Sequence, residues 1–403
     1  MADKIDIAIV GRGLIGGITA LALSKTGAKI ALIDKIQTEK LDSRGFDPRT
    51  STISKTSKTM LDVLGLWKEL DKFSNPILDI KVVEGSPKNT IHFSHDLIPG
   101  EPMGYIVEND KLREIVFNQI REKTNTILFD NFELKSISQS PLGINLFQKK
   151  GSKIFTNLLV GADGRNSAVR RLAGFKSKGR QYDQKAIILI VKHSIPQKNV
   201  AHQLFFPHGP LAILPLKNNR SSIVWTMDTS TANKYLKFPP RNFIKELESC
   251  VGKILGSISL SGEILSYQLD LKFAKSTVSP GISLVGDAAR IIHPIAGQGL
   301  NLGLRDVAVL AEVIVDALRL GLDPGDLYSL RKYERWRSLD TAAMVVSTDG
   351  INKLFSNRLS ALAFARQLGL KLINSSNLIK SLFMRQATGE LGTLPRLLRG
   401  EEL

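Results

Sequence analysis

Apolar positions in this chain come in two spacings, and the two alternate along its length. Unbroken strand-length runs stand at Ile5-Asp-Ile-Ala-Ile-Val10 and Lys29-Ile-Ala-Leu-Ile-Asp34. Between them residues 17–24, rich in Ala and Leu, read as a helix. A loop from Arg44 to Thr52 leads into a second helix carrying Met60, Leu61, Leu64 and Trp67 on one side. Strand-like runs at 77–83 and 91–93 precede Gly104, where a helix reaching about Lys123 is expected to start. Alternating segments follow at 132–137 and 144–147. The run from Lys153 to Val160 is again apolar and breaks at Gly161-Ala-Asp163-Gly164, after which Asn166 or Ser167 can cap a helix toward Leu172.

Between about 175 and 275 the pattern changes. Segments 186–191, 203–206, 211–216, 221–227 and 263–269 are β-rich and separated by Pro, Gly, Asn and Lys turns. They predict an antiparallel sheet with a helix near 243–250. The apolar run 282–285 then breaks at Gly286-Asp287, and a helix is expected from about Leu300. Everything after 306 reads as helical: an apolar stretch over 307–320, an amphipathic one over 327–346, and Leu- and Ile-rich segments beyond 351. The expected fold is therefore α/β, a Rossmann-type domain interleaved with an antiparallel β-sheet domain, plus a C-terminal helical region. Its divisions are placed at 1–174 and 279–320 for the two parts of the Rossmann-type domain, 175–278 for the sheet domain, and 321–403 for the helical region.

Composition narrows the classes. A chain of 403 residues at 43% hydrophobic has no difficulty building a core. Cys250 is the single cysteine, which excludes an internal disulfide and a cysteine-held zinc or iron–sulfur site. No metal site is expected. No uncharged apolar run reaches the length of a transmembrane helix, and the start lacks a signal-peptide layout. Fifty-five Lys and Arg against 38 Asp and Glu give a net charge of +17. A solvated surface or an anionic membrane explains that charge; low aromatic content and the lack of a recognition motif argue against nucleic acid. Beyond residue 351, eight basic residues from Lys353 to Arg399 face only Glu390, Glu401 and Glu402. This tail is either a set of helices closing the domain or a basic, apolar face for a membrane.

The chemistry lies in the turns. Gly11-Arg-Gly13-Leu-Ile-Gly16 sits between a strand and a helix, and the next strand ends in the acid Asp34, as the dinucleotide fingerprint requires. Gly11 permits the tight turn, Gly13 lets a pyrophosphate reach the backbone, Gly16 lets helix pack on strand, and Asp34 accepts ribose hydroxyls. The strands ending near 160 and 285 also stop at Gly/Asp turns. In an open parallel sheet such turns gather at the carboxyl ends, where ligands bind. Gly297, Gly299 and Gly303 crowd a helix start whose N–H groups favour an electron-rich group. Arg49 either meets a phosphate or ribityl oxygen or is an ordinary surface arginine.

Together these motifs resemble flavin-dependent aromatic hydroxylases of the para-hydroxybenzoate-hydroxylase fold, and most of all the ubiquinone-biosynthesis hydroxylases of polyprenylated phenols. The resemblance rests on Gly11-x-Gly13-x-x-Gly16 with Asp34, on Gly161-Ala-Asp163-Gly164-Arg-Asn-Ser167, and on Gly286-Asp287 with the run from His293 to Asp306. It covers nearly the whole chain and implies tightly bound FAD, with NAD(P)H as a transient reductant. Asp287 would hold the ribityl chain, and backbone at Gly299, Leu300 and Asn301 would face the pyrimidine end of the flavin. Asp163 and Gly164 belong to a motif tied to FAD and NAD(P)H alike, and Pro294 would line the pocket near the ring. Arg290 stands where many relatives have histidine, and Asn109 where some have an FAD-contacting arginine. The implied reaction is hydroxylation of a prenylated phenol by O₂ through a C4a-hydroperoxyflavin. No catalytic residue is assigned; His208 and His293 are candidate bases, each more readily structural. A cytoplasmic enzyme is implied, peripheral on the inner face of the membrane and able to join a ubiquinone-biosynthesis complex. A soluble aromatic hydroxylase of the same fold and a non-catalytic FAD-binding accessory protein remain the alternatives.

Overall fold

The computed structural model describes residues 4–37, 47–84, 90–97, 102–149, 151–206, 209–292, 297–338, 340–341 and 376–403. Its first sheet has the strand order 278–279, 282–284, 153–161, 5–10, 30–33, 127–129. From 282–284 to 127–129 every neighbouring pair is parallel. A hairpin of strands Leu134–Ser140 and Gly143–Gln148 adds antiparallel to the edge of Lys153–Gly161. Both faces are covered, so the strands are apolar throughout, as buried parallel strands are. Ile7, Ile9, Leu32, Leu158 and Val160 pack toward the helices Leu14–Leu23, Asn109–Lys123 and Gly299–Arg319. Ile5, Ala8, Ile33, Leu159 and Leu284 pack on the other face, with Phe132, Leu134 and Leu146.

The second sheet has nine strands in the order 290–291, 265–274, 177–193, 220–228, 209–216, 200–206, 79–84, 90–94, with 258–260 pairing to the side of 177–193. It differs from a purely antiparallel sheet at one seam. Val200–Phe206 runs parallel to Asp79–Glu84, a strand from far earlier in the chain. The helix expected near 243–250 extends over Pro240–Leu255, preceded by Thr229–Leu236. Phe243, Leu247, Val251 and Leu255, four residues apart, are at most 1% exposed. They pack on Ile187, Ile213 and Trp225, each contributing about 1.5–3 kcal/mol by burial.

A third sheet corrects two expectations. Thr50–Ser54 is a strand rather than loop, and Gly104–Glu108 is a strand rather than the start of a helix. The two pair antiparallel, with Asn75–Ile77 on the far side. The helix proper begins at Asn109. Ser167, not Asn166, caps the short helix Ala168–Leu172 through its hydroxyl and the Arg170 N–H.

After Gly299–Arg319 the described chain is helical over 327–338, over Asn377–Thr388 and over Arg396–Arg399. The rest of the expected 327–346 helix and the segments up to 375 lie largely outside the described residues. The stretch after Thr388 fastens onto the elements before it. Arg305 donates to the carbonyls of Gly389 and Leu391 at 3.3 and 2.9 Å, and Lys55 pairs with Glu390 at 2.9 Å. Among the described residues no helix is long and apolar enough to cross a membrane, and no acid, His and Cys cluster could hold a metal.

His202, on the strand beside Asp79–Glu84, has its pKa pushed down to about 4 by burial and by Lys81. A histidine held neutral in the fold gives no penalty above the unfolded pKa near 6.5. As pH falls from there toward 4, the unfolded chain takes up the proton first and stability drops, by at most about 1.4 kcal/mol per pH unit. Replacing His202 with Gln is expected to flatten the stability profile in that window, read by denaturant titration at several pH values.

Candidate functional site

Three turns meet at the carboxyl edge of the first sheet because their strands are parallel neighbours. Gly11 follows Ile5–Val10, Ala162 follows Lys153–Gly161, and Gly286 follows the strand Ile282–Leu284. The Ala162 N–H donates to Val10 O at 2.8 Å and the Val285 N–H to Gly161 O at 3.0 Å, which carries the ladder to its end. Arg170, 6% exposed, then ties the second turn to the third. Its guanidinium donates to Ala288 O at 2.7 Å, Asp287 O at 3.3 Å and Arg165 O at 2.7 Å.

The glycines at this edge divide into two kinds. At Gly11 (φ +108°) a Cβ would lie 2.5 Å from Ala162 O, and at Gly16 it would lie 1.8 Å from Gly11 O. Gly303 would meet Ile15 at 2.5 Å, Gly297 would meet Thr52 at 2.9 Å and Gly286 would meet Ile15 at 3.2 Å. These glycines let backbones and helices approach one another. At Gly13, Gly164 and Gly299 no described residue lies within 4 Å of a Cβ built there. Two of the open positions stand at helix starts, where N–H groups point outward without partners in the helix. Gly13 is the N-cap of Leu14–Leu23, and Gly299 is the first residue of the 21-residue helix Gly299–Arg319; neither helix has a side-chain cap.

The acids surround the same space. Asp34 Oδ2 accepts the Arg12 N–H at 2.8 Å and Oδ1 accepts the Ile36 N–H at 2.9 Å, so the carboxylate stands fixed beside the Gly13 turn. Asp163 Oδ2 accepts the N–H groups of Ala168 and Val169 at 2.6 and 3.1 Å, while its buried Oδ1 has no partner. Asp287 is exposed to solvent in the third turn, with protein densely packed around the turn. That crowding raises its carboxyl pKa, against the fields of Arg165, Arg49 and Arg170.

Other expected residues are engaged within the protein. Arg49 chelates Asp47 through Nε and Nη2 at 2.6–3.0 Å and lies over the Tyr267 ring at 5.8 Å. Its charge favours the ionised form of Asp287. The Asn301 side chain accepts the Ser54 N–H at 2.9 Å and donates to Thr52 O at 2.8 Å, so only its backbone is left for a ligand. Leu300 packs against the main core. Asn109 accepts the Ser51 hydroxyl at 2.6 Å. Pro294, His293 and His208 lie outside the described residues.

The buried charges behind the site go beyond the sequence expectations. Asp306, fully buried, accepts from Arg290 at 2.5 and 2.7 Å, from Arg337 at 2.7 Å and from the Gly286 N–H at 3.0 Å. Burial alone would raise its carboxyl; Arg290 and Arg337 outweigh that and hold it below the usual range. A signal exists in the sequence, since Asp306 is the sole acid between Asp287 and Glu312 and lies in an apolar helix. Arg12 likewise stands out as a charge inside the glycine fingerprint.

Two uncapped helix starts, an orphaned carboxylate oxygen and three glycines open on the Cβ side suit a long, hydroxyl-rich, anionic ligand such as a flavin dinucleotide. A separate cavity of about 440 Å³, lined by Leu21, Leu64, Val315 and Leu397, lies at the far ends of these helices and shares none of the turn residues.

Comparison with known proteins gives the family. The family described as FAD binding domain matches residues 4–346. The ubiquinone hydroxylase UbiL of Rhodospirillum rubrum is 41% identical over all of this chain and 94% of its own length. The mitochondrial ubiquinone biosynthesis monooxygenase COQ6 of Homo sapiens is 29% identical over 95% of this chain and 92% of its own. Among solved structures, p-nitrophenol 4-monooxygenase PnpA from Pseudomonas putida DLL-E4 superposes with a TM-score of 0.79 at 16% identity, covering 95% of this chain and 98% of that one. A variant of HpxO from Klebsiella pneumoniae, complexed with FAD, gives 0.76 at 17%, covering 96% and 100%. At that identity the structures speak for the fold, while the family match and UbiL speak for descent. The chain belongs to the FAD-binding-domain family and is an FAD-dependent monooxygenase with the para-hydroxybenzoate-hydroxylase fold.

Proposed function

We propose that the chain hydroxylates the aromatic ring of a polyprenylated phenol in ubiquinone biosynthesis, taking electrons from NAD(P)H. The observation that carries this reading is the 41% identity to a ubiquinone hydroxylase over the whole chain. Bound FAD, once reduced, supplies the oxygen activation. The protein's residues bind and orient. The N-terminus of Leu14–Leu23 receives the pyrophosphate across Gly11, Gly13 and Gly16. Asp34 accepts the adenosine ribose hydroxyls, and Asp287, flanked by Gly286, accepts the ribityl hydroxyls beneath Arg49 and Arg165. Backbone N–H groups of Gly299, Leu300 and Asn301 face the pyrimidine end, where the helix start favours negative charge. Asp163 and Gly164 join the binding set from the second turn, and Gly297 from the segment just before the helix Gly299–Arg319.

Thr50 donates to Ser222 at 2.9 Å and Arg220 pairs with Glu108 at 2.8 Å, so the second and third sheets are bonded together. The test is substrate-stimulated NAD(P)H oxidation by the purified holoprotein with a short-chain prenylphenol. Stimulation with hydroxylated product supports the reading, and FAD-loaded protein that ignores the phenol refutes it.

A substrate with a prenyl tail resides in a bilayer, so the enzyme is placed at a membrane surface. Support comes from Leu378, Leu382 and Phe383, which are 74%, 50% and 49% exposed on the helix Asn377–Thr388 beside Arg385. Flotation with anionic vesicles at low salt is expected to carry the protein upward, and absence of flotation would remove this placement.

A further inference from the structure

Arg12 lies inside the glycine fingerprint, next to the open Gly13, yet it is only 2% exposed. Its side chain turns away from the cleft and gathers three separate elements. One guanidinium nitrogen forms an ion pair with Asp130, in the turn after strand Ile127–Phe129. The other donates to Ile36 O at 2.9 Å, in the turn after Asp34. The group also lies 5.9 Å from the centroid of the Phe117 ring on the helix Asn109–Lys123, a favourable cation–π placement.

The backbone of the same residue reaches the ribose end as well, since the Arg12 N–H holds Asp34 Oδ2. Asp34 is itself woven into the Asp130 turn: its N–H donates to Phe129 O at 3.0 Å and its carbonyl accepts from Phe132 at 2.9 Å. One residue thus fixes both the ribose-binding carboxylate and the chain on either side of it. We infer that Arg12, with Asp130 as its counter-charge, is a positioning residue for the adenosine half of FAD, setting affinity at that end without acting at the flavin ring. This rests on the cofactor placement proposed above for the Gly13 turn and Asp34.

The test uses apoprotein and three probes: FAD, ADP for the adenosine half, and FMN for the flavin half, each titrated calorimetrically. Binding of ADP to the wild-type apoprotein checks the placement itself, separately from the role of Arg12. In Arg12→Met, affinities for FAD and ADP are expected to fall together by about 10–100-fold, while FMN affinity and the visible spectrum of bound flavin stay as in wild type. Arg12→Lys restores part of the loss. Asp130, whose side chain is 31% exposed, gives a second variant in case the first folds poorly. Asp130→Asn is expected to weaken ADP in the same direction, and the double variant to be no weaker than Arg12→Met alone, because the two act as one unit. Wild-type ADP affinity in either single variant, or a loss of FMN affinity equal to that of ADP, would overturn the assignment.

Discussion

Replacing Gly13 with valine is expected to lower FAD affinity by at least about 100-fold, roughly 2.7 kcal/mol, while leaving the apoprotein folded. The backbone at Gly13 is extended, with φ −84° and ψ −175°, which an ordinary residue adopts without strain. None of the described residues lies within 4 Å of a Cβ built there. Added methyl groups therefore enter only the space in front of the helix start, where the pyrophosphate must come to reach the N–H groups. Apoprotein stability should change by no more than about 0.5 kcal/mol, as for substitutions that touch nothing. Gly16, three residues on, is the contrast. A Cβ there would lie 1.8 Å from Gly11 O, so Gly16→Val should fail as a fold before it fails as a site. The ratio of flavin to protein absorbance, with the melting temperature of each apoprotein, separates the two outcomes. Full flavin loading of the Gly13 variant would show that the helix start does not receive the cofactor.

The largest effect on stability is expected at Asp306. Its carboxylate is 0% exposed and is shared by two guanidinia that are themselves 5% and 1% exposed. Ion pairs this deep are costly to break from one side, because the partners stay buried and charged. The loss is about 3–5 kcal/mol. Asp306→Ala should reach that range by denaturant unfolding, and Asp306→Asn should lie below it by keeping hydrogen bonds to Gly286 and one arginine. The pH dependence has a definite sign. A carboxyl held below its unfolded pKa adds stability above that pKa, near 3.9, and the contribution is lost as pH falls through the folded value. The variants should lack this part of the acid limb. Since Asp306 also anchors the Gly286 N–H, flavin loading should fall along with stability.

Local signals are legible in the sequence and long-range ones are not. The fingerprint with Asp34 can be read because strand, turn, helix and strand follow one another within 30 residues. The turns at Asp163 and Asp287 can be placed at one edge because parallel strands bring their carboxyl ends together. The run Gly104–Glu108 reads as part of a helix because nothing separates it from Asn109. It is a strand only because Thr50–Ser54 and Asn75–Ile77, both distant in the chain, offer it partners. The parallel seam between Asp79–Glu84 and Val200–Phe206 is hidden for the same reason. Side-chain destinations are the hardest. Arg49 reads toward phosphate, yet Asp47 two residues away takes its guanidinium, and Asn301 spends its amide on Thr52 and Ser54. The glycines of the Gly297–Gly303 run look alike in sequence. Only their neighbours show that Gly299 faces open space while Gly303 faces Ile15.

The measurement that bears most directly on the proposed chemistry is isotopic. Holoprotein is reduced anaerobically with NAD(P)H, mixed with a short-chain prenylphenol and exposed to ¹⁸O₂, and the phenol is analysed by mass. The expected product carries one labelled oxygen on the ring, with NAD(P)H oxidation faster when the phenol is present. Phenol recovered unchanged from fully flavinated, fully reduced protein would contradict the hydroxylase and leave the chain a flavin binder without this chemistry.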